Sequence, residues 1–113
     1  MLPKGMMKPF TMTSSERLWS LISAVRHVVD NRIPGDFVEC GVWRGGSVMA
    51  MAAELSSLGI QERRIWLYDT YSGMTAPTSA DIEAGTGVSA ATMLESTVVA
   101  DGDNVWCVAG LED

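Results

Sequence analysis

Cysteine is scarce in this chain, and where it occurs it excludes two chemistries. Cys40 and Cys107 lie far apart with no CxxC pair or histidine cluster beside either. A zinc site and a disulfide framework both need such spacing. Both thiols are expected to be reduced and buried, since free cysteine packs as a small hydrophobe. Histidine occurs once, at His27 between Val25 and Val28, and is expected on a solvated or core-edge position rather than as a base or ligand. Basic residues are also few: eight Lys and Arg stand against fourteen Asp and Glu, for a net charge of −6. Only Arg63 and Arg64 form a basic pair, which reads as solvated. Phosphate backbones are bound by clustered cations, so nucleic acid is not an expected partner, whereas a cationic small molecule is not opposed. Met1 to Phe10 lacks the apolar run of a signal peptide, and no apolar stretch approaches the ~18 residues of a membrane span. A cytoplasmic protein with no membrane partner is the expectation.

What is present suits one small globular domain: 113 residues, of which 47% are hydrophobic. Thr13 and Glu16 stand at capping-box spacing and predict a helix start near Thr13. Leu18, Leu21, Ile22, Val25, Val28 and Val29 then recur at helical intervals, until Asp30, Asn31 and the Pro34-Gly35 turn end the run. Asp36 to Cys40 reads as a short buried strand leading straight into Gly41. After Gly45-Gly46, Ser47 is the expected N-cap of a second helix that places Val48, Met51, Ala52, Leu55 and Leu58 on one face before Gly59. Ile65 to Tyr68 is a second strand with Asp69 at its C-terminal end. Strand, crossover helix and strand imply a right-handed βαβ unit with a parallel sheet. Beyond it, Thr70 to Gly87 reads as a long surface loop, Ala90 to Val99 as a weak helix, and Val105 to Val108, taken alone, as a strand. Asp81 with Glu83 is not an expected metal pair.

Ligands of an open parallel sheet sit outside the carboxyl ends of its strands. Glu39 and Asp69 occupy that edge. The intervening turn, Glu39-Cys-Gly-Val-Trp-Arg-Gly-Gly-Ser47, lacks the GxGxxG spacing that a pyrophosphate nest needs. A carboxylate at Glu39 would repel a pyrophosphate but suits an ammonium group, and Asp69 suits the vicinal hydroxyls of a ribose. The bland alternatives are a plain glycine turn without a ligand and a Trp43 that merely caps the core.

Three separated blocks carry a resemblance: Ile33-Pro-Gly-Asp-Phe-Val-Glu-Cys-Gly-Val-Trp-Arg-Gly-Gly-Ser47, Tyr68-Asp-Thr-Tyr-Ser-Gly-Met74, and the preceding Met12-Thr-Ser-Ser-Glu-Arg17. From Met12 onward the chain resembles the macrocin O-methyltransferase (TylF/MycF) family. The resemblance implies an α/β, Rossmann-like class I methyltransferase fold with an open parallel sheet, of which this is the N-terminal part. Residues 1–12 would form an extension and 13–113 an incomplete S-adenosylmethionine-binding domain. It implies S-adenosyl-L-methionine as methyl donor, Mg2+, a hydroxyl of a macrolide-type sugar as acceptor, and a homo-oligomer for the full-length form. It assigns Glu39, Gly41, Val42, Trp43 and Ser47 to the cofactor's amino-acid and sulfonium end, Asp69 with Thr70 and Tyr71 to the ribose, and Met12 and Thr13 to a closure from the N-terminal side. It also makes Trp106 to Asp113 the approach to a further helix, against the strand reading. The family's metal-binding aspartates have no counterpart here, so no catalytic or metal residue is assigned and the chain alone is expected to be inactive. A non-catalytic nucleoside-binding or interaction module and an NAD-binding half-domain are the competing readings.

Overall fold

Helix α1 (Ser15–Asp30) begins where a side chain can satisfy an orphan N-H. In the computed structural model, which describes residues 10–96 and 107–112, that side chain belongs to Ser14, whose Oγ accepts from Arg17 N at 3.4 Å. The cap therefore lies one residue beyond the expected Thr13, whose own N-H donates instead to Thr11 Oγ1 at 3.1 Å. Glu16 still sits in the first turn, where a carboxylate complements the helix dipole. At the other end, Arg32 N donates to Val29 O and Ile33 N to Val28 O, both at 3.0 Å. This pairing is a Schellman closure, with Arg32 at φ 53° in the place a glycine usually takes. His27 is exposed at this end, its Nδ1 3.2 Å from Asn31 Nδ2.

Strands β1 (Phe37–Cys40) and β2 (Ile65–Tyr68) pair in parallel, with Phe37 opposite Ile65 and Cys40 opposite Tyr68. Helix α2 (Gly46–Ser57) connects them. It closes with Gly59 at φ 71° and Ile60 N donating to Leu55 O at 2.9 Å, the same closure with the expected residue. Val25, Met51 and Leu55 are buried at the centre, and Leu21, Val29, Phe37, Val48, Ile60 and Ile65 pack against them. Both helices thus cover the side of the sheet that carries Phe37 and Ile65. Val38, Trp66 and Tyr68 on the opposite side are exposed, and so is Cys40. The expected burial of the thiols fails for this reason at Cys40, while Cys107 is half-buried. In α2, Ala52 is exposed and Ala50 buried, because this short helix is apolar on more than one face. The buried Glu54 is met by Arg26 Nε of α1 in an ion pair.

The strand starts are tied together by polar side chains. Asp36 accepts from Arg64 N at 3.1 Å and Trp66 Nε1 at 2.9 Å. Arg63 donates to Gly35 O at 3.1 Å and Ile33 O at 2.7 Å, so it is engaged rather than merely solvated, while Arg64 is exposed. The Trp66 and Arg64 hydrogen bonds hold the Asp36 carboxyl below the usual aspartate range. A depressed folded-state pKa gives stability that is present above the unfolded pKa, about 3.9, and is lost as pH falls through the folded value. Asp36→Asn is therefore expected to lower the urea midpoint at pH 7 and to flatten its decline below pH 4, as followed by circular dichroism. An unchanged acid limb would rule the contact out as a contributor.

The chain divides into two compact units at Asp69/Thr70. In the second, Thr78 N and Oγ1 donate to Asp81 Oδ2 at 2.7 and 2.9 Å, Thr86 donates to the Glu83 carboxylate, and Ile82 and Ser89 form an antiparallel bridge. The expected loop is thus partly built from local turns that occupy both acids. Ser89 Oγ accepts from Thr92 N at 3.1 Å ahead of α3 (Ala90–Ser96). Residues 97–99 of the expected helix, and 105 and 106 of the alternative strand, lie outside the described residues. Cys107 and Val108 carry no strand. No helix among the described residues is long and apolar enough to cross a membrane.

Candidate functional site

The turn from β1 to α2 departs from the sheet at Gly41, whose N-H donates to Tyr68 O at 2.9 Å and continues the ladder one residue beyond the strands. Gly41 at φ 87° then takes a course that side chains rarely allow. Val42 N and Trp43 N both donate to Asp69 Oδ2, at 2.5 and 3.0 Å. Trp43 lies at φ 49°, with the Arg44 guanidinium 5.1 Å from its ring centroid. Gly45, not Ser47, is the N-cap of α2; it is left-handed and gives no side-chain cap. Ser47 falls inside the first turn because Gly46 already has helical geometry, and its half-buried hydroxyl has no hydrogen-bond partner among the described residues.

Gly46 is required by a close approach. A β-carbon there would stand 2.5 Å from both Phe10 O and Thr11 Cβ. Phe10 and Thr11 therefore lie directly against the start of α2, with Met12 partly exposed and Thr13 N donating to Thr11 Oγ1. The sequence pattern marks these glycines as a strand-to-helix turn, and nothing in it names Phe10 and Thr11 as partners.

Glu39 is half-buried and has no hydrogen-bond partner among the described residues. Loss of hydration pushes its carboxyl above the usual glutamate range. Strand alternation puts Glu39 on the same side of the sheet as Phe37, and Asp69 on the same side as Ile65. The two acids thus share the helix-covered side at adjacent strand tips. Glu39, Gly41, Val42, Trp43, Ser47 and Asp69 are brought to one edge, with Met12 and Thr13 on the segment beside α2. Thr70 and Tyr71 open the second unit, where Thr70 Oγ1 donates to Gly73 O at 2.9 Å and Tyr71 has φ 55°. One oxygen of the Asp69 carboxylate, Oδ2, is engaged by both main-chain donors, Val42 N and Trp43 N, a contact the sequence reading does not include. No three His, Cys, Asp or Glu side chains come together to hold a metal ion among the described residues.

The family profile described as Macrocin-O-methyltransferase (TylF) matches residues 5–104. A tetracenomycin enzyme of Streptomyces olivaceus, 8-demethyl-8-(2,3-dimethoxy-alpha-L-rhamnosyl)-tetracenomycin-C 4'-O-methyltransferase, is 45% identical over 64 residues, which is 57% of this chain and 24% of that protein. Demethyldecarbamoylnovobiocin O-methyltransferase of Streptomyces niveus is 38% identical over 64 residues, again 57% and 24%. Mycinamicin III 3''-O-methyltransferase of Micromonospora griseorubida is 32% identical over 71 residues, 63% of this chain and 28% of that protein. These matches span about a quarter of the relatives' lengths. The solved structure of the O-methyltransferase NovP matches with a TM-score of 0.65 at 26% identity, over 91% of this chain and 38% of that one. The parallel pair with its helices is part of that Rossmann-like methyltransferase fold.

Proposed function

The chain belongs to the macrocin-O-methyltransferase (TylF) family, and from that premise we propose that it serves S-adenosylmethionine-dependent O-methylation of a hydroxyl on a natural-product sugar, with the β1–α2 edge as its cofactor-binding portion. The observation that carries this reading is Glu39: a half-buried, partly dehydrated carboxylate with no hydrogen-bond partner among the described residues, just ahead of a glycine turn without pyrophosphate spacing. An ammonium group satisfies such a carboxylate, and a charge-assisted bond in a partly dehydrated setting is among the stronger ones. The first turn of α2, which has no side-chain cap, offers N-H groups that suit the adjacent carboxylate of an amino-acid moiety. Gly41, Val42 and Trp43 would present main chain to the sulfonium end, Ser47 would offer its hydroxyl, and Asp69 with Thr70 and Tyr71 would serve the ribose. Met12 and Thr13 would close from the N-terminal side. The bound cofactor supplies an electrophilic methyl group; the residues named hold and orient it. Among the described residues no three His, Cys, Asp or Glu side chains gather that would hold a magnesium ion.

Calorimetric titration of the chain with S-adenosylhomocysteine and, separately, with NAD tests the proposal. Saturable one-to-one binding of S-adenosylhomocysteine with none of NAD is expected. A preference for NAD, or binding of neither, would sink it.

A further inference from the structure

The loop between β1 and α2 has a local turn bond, Gly45 N to Val42 O, which leaves the N-H groups of Val42 and Trp43 to be met from outside it. Gly41 and Gly45, at φ 87° and 75°, are permissive, and Trp43 between them holds φ 49°, a region that L side chains rarely adopt. Such a conformation persists when surrounding contacts over-determine it. Gly41 N donates to Tyr68 O and Gly45 N to Val42 O, both at 2.9 Å, which ties the ends of the loop; between them the two consecutive main-chain donors Val42 N and Trp43 N both meet one carboxylate oxygen, Asp69 Oδ2. Asp69 itself follows β2 directly, on the neighbouring strand, so the anchor is carried by the sheet.

We propose that Asp69 is a positioning residue: its clamp on Val42 and Trp43 sets the loop that forms the wall of the nucleoside site, and so governs binding at the Glu39 end as well as at the ribose. The consequence for binding rests on the cofactor reading above; the clamp does not. A carboxylate that only accepted from ribose hydroxyls would leave the loop, and ligands without those hydroxyls, indifferent to its removal.

Amide hydrogen exchange of the ligand-free chain, read residue by residue by NMR, tests the clamp. Asp69→Ala is expected to speed exchange at Val42 and Trp43 by about tenfold or more, with Met51 and Leu55 unchanged. Asp69→Asn keeps a carbonyl that can accept the same bonds and should retain most of the protection. Equal protection in Asp69→Ala overturns the proposal. Should that variant not fold, scalar couplings across the hydrogen bonds from Val42 and Trp43 nitrogens to the Asp69 carboxyl carbon in the unsubstituted chain decide it, and their absence overturns it. For the binding consequence, the 2′,3′-dideoxy analogue of S-adenosylhomocysteine is the probe. Asp69→Ala should weaken it about tenfold and Asp69→Asn should restore it; an analogue unaffected by Asp69→Ala confines the residue to the ribose. If S-adenosylhomocysteine fails to bind the unsubstituted chain, the cofactor reading falls while the exchange result still judges the clamp.

Discussion

Glu39→Gln is expected to weaken S-adenosylhomocysteine binding about 10- to 100-fold, the range set by losing a hydrogen bond between charged groups, while leaving the ligand-free chain at least as stable. The two effects have one cause. In the free protein the half-buried carboxylate has lost part of its hydration without gaining a hydrogen-bond partner among the described residues, so its ionised form is disfavoured and its pKa lies above the ordinary glutamate value. For an acid whose folded-state pKa is raised, the stabilising contribution is complete below the unfolded pKa, about 4.3, and is lost as pH rises through the folded value. An ammonium-bearing ligand needs the ionised form, so affinity should be level above the raised pKa and fall as pH drops through it. Stability and affinity therefore run in opposite directions across the same window above about pH 4.3. Asp36 and Asp81, whose carboxyls are depressed by hydrogen bonds, act below that window. Calorimetry and thermal melts between pH 4 and 7 read both trends. A Gln variant that binds as tightly as the unsubstituted chain removes Glu39 from the site.

That an acid stands on the covered side of β1 was readable only in part. The strand pattern and the glycine turn located Glu39 at the right edge, because both signals are local: a short apolar run and a change of chain direction. The Ile65–Tyr68 strand and the Gly59 closure were legible for the same reason. The N-caps were not, since Thr13, Ser14 and Ser15 all offer hydroxyls and the choice among them depends on which reaches an amide one turn on. At α2 the serine was outcompeted by a left-handed glycine, a conformation that composition does not display. Non-local contacts were hidden altogether. Nothing in the spacing pairs Arg26 with Glu54, sets Thr11 against Gly46, or folds Asp69 back onto Val42 and Trp43. Cys40 misled because a strand buried on both faces and one covered on a single face share the same short apolar pattern.

Leu55→Ala should cost the largest share of stability of any single change in the first unit. Among the described residues Val25, Met51 and Leu55 form the buried cluster at the centre of this unit, so a cavity at Leu55 opens inside it. Leu55 also takes the main-chain bond from Ile60 that closes α2, and Ile60 packs on the same cluster. Large-to-small substitution at such sites costs about 2–5 kcal/mol, against a total of about 5–15 kcal/mol for an ordinary domain. In a domain of about 100 residues each kcal/mol moves the melting temperature by roughly 4–8 °C. A fall of about 10 °C or more is therefore expected, together with loss of S-adenosylhomocysteine binding above the new midpoint, since α2 carries the loop that shapes the site. Leu55→Met, which conserves volume, should recover most of the loss. Leu111→Ala provides the contrast, because that side chain is 80% exposed and its removal opens no cavity. If Leu55→Ala melted no earlier than Leu111→Ala, the helices would not be held to the sheet by this cluster, and the placement of Glu39 and Asp69 at one edge would lose its support.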